Sequence, residues 1–276
     1  MSDIINKILY SKQKKVFKEV HSLAKTVSYL YGGNPIIRDG IYTLINNYAR
    51  KKEIPVQMLR YPFNDEDLWA FTFLKKGTIF LCINTQISLC KQNFAAAHEL
   101  YHLYCFCEDV DQNLVRSGTI LSTETVEEVV ENQEELEANA FAGVLLMPTS
   151  CLRDQIEMLE IDINHIMIDD IIALMDVFAI PYKACILRLY ECDIISASKA
   201  EELYTTKWEV IKERIMLTGQ AKRWQLDGAG TEQFGSLFAD FNFNVENDFL
   251  VDTREESDRE FISSLKKRFH LDEVIF

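Results

Sequence analysis

Apolar residues recur at helical spacing from residue 15 to 31, through Val16, Val20, Leu23, Ala24, Val27 and Leu30. This three-and-four rhythm turns one face of a helix toward a core. Gly32-Gly33-Asn34-Pro35 ends it, and a second helix is expected over residues 36–50. After Pro55 the pattern changes to aromatic and β-branched runs. Val56 to Tyr61 is an expected strand. Leu68 to Leu74 and Thr78 to Ile83, separated by Lys75-Lys76-Gly77, read as a β-hairpin. A helix follows, apolar all round, with Asn93 as its expected cap. Residues 108–123 are polar and loop-like. A long helix, acidic in its first half, is expected from about Glu124 to Met147 and stopped by Pro148. Residues 166–192 read as two short helices joined at Ile180-Pro181. The pattern predicts an α+β domain with a small sheet over residues 1–200. Residues 201–276 form a separate C-terminal module of unassigned role, whose last sixteen residues read as a short amphipathic helix.

A chain of 276 residues, 48% hydrophobic, has enough apolar surface for a substantial core. Its net charge of −14 argues against gripping nucleic acid phosphates or an anionic membrane. No run approaches the length of a membrane span, and the N-terminus lacks the apolar stretch of a signal peptide. Seven irregularly spaced cysteines, Cys105-Phe-Cys107 among them, are expected as reduced thiols of a cytoplasmic protein.

One segment departs from plain core composition. From Gln92 to Cys107 the only formally charged residue is Glu99, and it stands inside His98-Glu99-Leu100-Tyr101-His102. A lone carboxylate between two histidines in an apolar helix is costly unless a cation and a water use it. Residues four apart share a helix face, so His98 and His102 aim at a common point. A zinc ion held there lowers the pKa of a water from about 15.7 toward about 7. Glu99 then takes that water's proton as general base and returns it to a leaving amine. Manganese or iron also suits such ligands. A third ligand is sought on the acidic helix, where Glu135, Ala138, Asn139 and Ala142 share a face. Small alanines permit close approach, Glu135 reaches the metal, and Asn139 holds a ligand histidine by its second ring nitrogen. Glu131 shares the face further from the apolar part, while Glu134 and Glu137 are expected to point elsewhere.

AHELYH followed by Glu135-x-Glu137-Ala138-Asn139-x-Phe141-Ala142 and Leu145-Leu146-Met147-Pro148 resembles the ImmA/IrrE family of metallo-endopeptidases. Ile83-Asn84 and Phe94 upstream, and Phe178, Ala184, Arg188 and Leu189 downstream, extend the resemblance over roughly residues 34–195. Tyr101 stands where glycine is common, at a position that is not a ligand. The resemblance implies a zincin-like metallopeptidase domain built on the HExxH helix. It implies one zinc on His98, His102 and Glu135, with Glu99 as catalytic base. It also implies a helix-turn-helix transcriptional repressor as the protein substrate, in phage, mobile-element or stress regulation. The acidic charge suits a basic partner of that kind. The alternative is a metal-containing regulatory protein that relieves a repressor by docking on it without cutting. A third reading makes residues 166–192 a DNA-binding helix-turn-helix, but Lys183 and Arg188 are the segment's only basic residues, so a packed helical pair is expected instead.

Overall fold

The structure, a computed structural model, describes residues 4–63, 65, 67–108, 119–120, 132–218, 224 and 233–269. In chain order it runs α1 (Leu9–Lys12), α2 (Lys14–Val27), α3 (Ile41–Lys51), β1 (Val56–Tyr61), β2 (Leu68–Lys75), β3 (Thr78–Asn84), α4 (Leu89–Glu108) and β4 (Thr119–Ile120). Next come α5 (Gln133–Leu146), α6 (Thr149–Met158), α7 (Ile168–Phe178), α8 (Tyr182–Glu191), α9 (Ala197–Tyr204), α10 (Trp208–Leu217), β5 (Gln233–Phe234), α11 (Leu237–Glu246) and α12 (Asp252–Arg268). This is the expected α+β class, a small sheet among many helices.

The sheet has the strand order β4-β2-β3-β1-β5. β3 pairs in parallel with β1 and antiparallel with β2, the latter as the expected hairpin. Lys76 and Gly77 both take positive φ, 50° and 79°, the two-residue turn whose twist matches the flanking strands. Alternation along the strands separates two faces. Ala70, Ile79, Leu81 and Ile83 are buried on the face that meets α4. Phe71, Phe73 and Phe80 lie on the other face, with the Phe73 and Phe80 rings stacked 5.0 Å apart. Asn84 pins the end of β3: its Oδ1 accepts from the Phe63 and Gln86 amides, and its Nδ2 donates to the Asp65 and Leu68 carbonyls.

Three expectations change. Asn93 does not cap α4; the helix begins a turn earlier, with the Gln92 amide bonded to the Ser88 carbonyl, and Asn93 is fully buried. Leu30 leaves the buried stripe and is 59% exposed, because α2 widens into a π turn at Ser28–Gly32. α5 starts behind Asn132, whose extended backbone and side-chain bond to the Glu134 amide cap it; the earlier part of the expected helix, residues 124–131, lies outside the described residues. So do the bulk of the expected loop at 108–123, most of the glycine-bearing stretch 226–235, and residues 270–276. The expected division at residue 200 falls within α9, Ile211 and Ile215 of α10 join the main core, and β5 pairs with β1.

α5 lies between α2 and α4 and is buried along most of its length. Its C-terminal end is locked by Arg188 of α8, itself buried. The guanidinium donates to the Met147 carbonyl, to Thr149 Oγ1 and to the buried Glu191 at 2.7 Å. A Cβ on Gly143 would meet Arg188 Cδ at 2.9 Å, so α5 needs glycine there. Arg188 is therefore committed to the interior, and α7 and α8 pack against each other as the expected helical pair. No described helix is long and apolar enough to cross a membrane.

Arg188→Ala leaves Glu191 buried and without its cation. Chemical denaturation is expected to show a loss of about 3–5 kcal/mol, with the double change Arg188→Met and Glu191→Leu recovering much of it.

Candidate metal centre

α4 carries His98 and His102 one turn apart, 0% and 6% exposed. Their Nε2 atoms converge to 3.0 Å. Around them Ala95, Ala96, Ala97, Leu100 and Leu103 are buried and apolar, and α4 packs on the sheet and on α5. α5 supplies the third group: Glu135 Oε2 lies 3.1 Å from His98 Nε2, and its Oε1 lies 3.5 Å from His102 Nε2. The three ligand atoms lie within 4.8 Å of one another, a group that can hold a metal ion.

The far side of each imidazole is also held. His98 Nδ1 meets Asn139 Oδ1 at 3.0 Å, as the shared face of Glu135 and Asn139 predicts. His102 Nδ1 meets Glu134 Oε1 at 2.8 Å. With Nδ1–H donating outward, each ring keeps its Nε2 lone pair for the common point. Glu134 and Glu137 stay out of the ligand group, as expected, but both reach side chains of α4. Glu137 accepts a hydrogen bond from the Tyr101 hydroxyl of α4 and another from Gln133. The available signal was Asn132 as a cap: it makes Glu134 and Glu135 first-turn residues, both at the end of α5 that faces the histidines. Ala138 and Ala142, fully buried, allow the close packing of α5. Glu131 lies outside the described residues.

Glu99 is 2% exposed. Its Oε2 accepts a hydrogen bond from Thr72 Oγ1 on β2 at 2.7 Å, and its Oε1 has no partner among the described residues. Thr72 was not singled out from sequence. Its signal is an alternation: Ala70, Thr72 and Leu74 share a strand face, and Thr72 is the one hydroxyl among them. Behind the carboxylate, burial and then the charge of Glu99 push the Cys82 thiol up to about 12, so it stays protonated. The other cysteines are free as well, with Cys90, Cys185 and Cys192 buried and Cys105, Cys107 and Cys151 partly so.

The electrostatics call for a cation. Burial opposes charge on His102, yet hydrogen bonds to Glu134 and Glu135 and the charge of Glu99 outweigh it and push the pKa up to about 9. Burial likewise opposes charge on Glu135, but the hydrogen bonds from His102 and His98 hold its carboxyl well below the usual range. A surplus of carboxylates around two imidazoles draws positive charge to this point. A divalent metal satisfies the same demand while leaving both rings neutral, and two imidazoles with one carboxylate are a donor set that suits zinc. The unpartnered Glu99 Oε1 beside the ligands is the atom that an activated water would satisfy.

The M78 peptidase family model, described as the IrrE N-terminal-like domain, matches residues 51–190, from the last residue of α3 to α8. No curated protein matches the chain.

Glu135→Ala is expected to remove most bound metal by elemental analysis; full retention would discard it as a ligand. Glu134→Ala and Asn139→Ala each free an imidazole to rotate, and metal titration is expected to give affinities about 10–100-fold weaker.

Proposed function

The chain belongs to the IrrE N-terminal-like family of M78 peptidases, and from that membership we propose that it is a zinc-dependent endopeptidase of the cytoplasm. Its proposed substrate is a helix-turn-helix transcriptional repressor. The observation that carries the reading is the state of Glu99: buried, one oxygen held by Thr72, the other unpartnered beside the three ligand groups. A protein that only docked on a repressor would have no use for a desolvated carboxylate there.

His98, His102 and Glu135 would hold the metal. When bound it supplies Lewis acidity, polarising a scissile carbonyl and making water acidic enough to lose a proton near neutrality. The remaining chemistry belongs to the chain. Thr72 fixes the Glu99 carboxylate so that Oε1 is the basic oxygen. Glu99 takes the proton of the attacking water, carries it, and delivers it to the amide nitrogen as the C–N bond breaks. Asn139 and Glu134 keep the two imidazoles oriented throughout. The net charge of −14 favours a basic partner such as a DNA-binding protein and disfavours direct binding of nucleic acid.

Glu99→Gln is nearly isosteric and leaves the ligands in place. It is expected to keep metal and fold while lowering kcat/KM for repressor cleavage by about 10²–10⁴. A variant that relieves repression in cells as fully as the parent would instead establish docking without proteolysis.

A further inference from the structure

The sheet face turned away from α4 holds a second feature, a cavity of about 660 Å³ between the strands and the C-terminal helices. Tyr61, Phe71 and Phe80 form its floor, and Leu237 and Leu265 contribute from α11 and α12. Its volume lies in the range of small-molecule sites, about 300–1,000 Å³. Its walls are apolar and mostly aromatic, with three polar side chains among them, Gln57, Asp240 and Arg268.

Two of those three are already committed. Gln57 donates to Ser236 Oγ and accepts from the Ser236 amide. Asp240 accepts from the Ser236 hydroxyl. Arg268 makes no ion pair among the described residues; its guanidinium lies over the Phe269 ring, 5.2 Å from the centroid. Stacking of that kind fixes the plane of the guanidinium while leaving its N–H edges free for a carboxylate. Asp240 lines the same cavity, and its charge disfavours a ligand carrying more than one negative charge.

We propose that this cavity is a binding site for a small monocarboxylate with an apolar acyl or aryl body, the body lying on Tyr61, Phe71 and Phe80 and the carboxylate meeting Arg268. The site is distinct from the metal centre, although the two share β2: Phe71 lines the cavity, and Thr72, on the opposite face, holds Glu99. Binding can therefore be measured without any peptide substrate, and its outcome is independent of the peptidase reading.

Decanoate titrated into the full chain by calorimetry is the test, with decanol as the neutral probe. One saturable decanoate site per chain is expected, with decanol weaker. Arg268→Gln, at an exposed position that folding does not need, is expected to weaken decanoate at least about tenfold. Leu237→Trp, which fills the cavity, is expected to abolish binding. Absence of saturable binding overturns the proposal. Equal affinity for decanol, an unchanged affinity in Arg268→Gln, or an unchanged affinity in a folded Leu237→Trp overturns it as well.

Discussion

Two imidazoles and three carboxylates sit together where α4 meets α5, the imidazoles and Glu99 buried, and nearly every polar atom there has a partner. Burying such groups unpaired would cost several kcal/mol each. The pairing is reciprocal. His98 is held between Asn139 and Glu135, and His102 between Glu134 and Glu135. α5 therefore cannot slide or rotate against α4 without orphaning a charged group. That requirement explains why the acidic residues stand in the first turn of α5 and why small residues follow them.

The supports lie further out and obey simpler rules. The five-stranded sheet gives α4 a flat apolar floor, and its hairpin delivers Thr72 to Glu99. Arg188 clamps the far end of α5 through the Met147 carbonyl and requires glycine at Gly143. An arginine that a chain reading could assign to nucleic acid is thus spent on the interior. The polar cluster fixes one end of α5 and the buried ion pair fixes the other.

Much of this was legible beforehand, and the reasons are local. Strand alternation and the Lys76-Gly77 turn marked the hairpin, and Pro181 marked the junction of α7 and α8. The four-residue spacing put both histidines on one face, and the same spacing put Asn139 one turn after Glu135. The errors are also local in origin. Asn93 has the chemistry of a cap, but burial of the preceding turn extended the helix past it. Glu134 and Glu137 were expected to point elsewhere than the metal and neither joins the ligand group, but both meet side chains of α4, because this helix is packed on two sides, by α2 and by α4. A wheel cannot anticipate a second neighbour.

The sequence by itself determined the two histidines that converge, the carboxylate between them and the helix that brings Glu135 to them, because i and i+4 geometry is fixed by the backbone ladder alone. Tertiary structure decided the groups that finish the site. Thr72 lies 27 residues from Glu99, and Glu134 lies 32 from His102. Side chains that far apart meet only when sheet and helices pack, and their partners are chosen by which buried polar atoms would otherwise go unpaired. The cavity behind Phe71 follows the same logic: it exists only where the C-terminal helices close over the sheet.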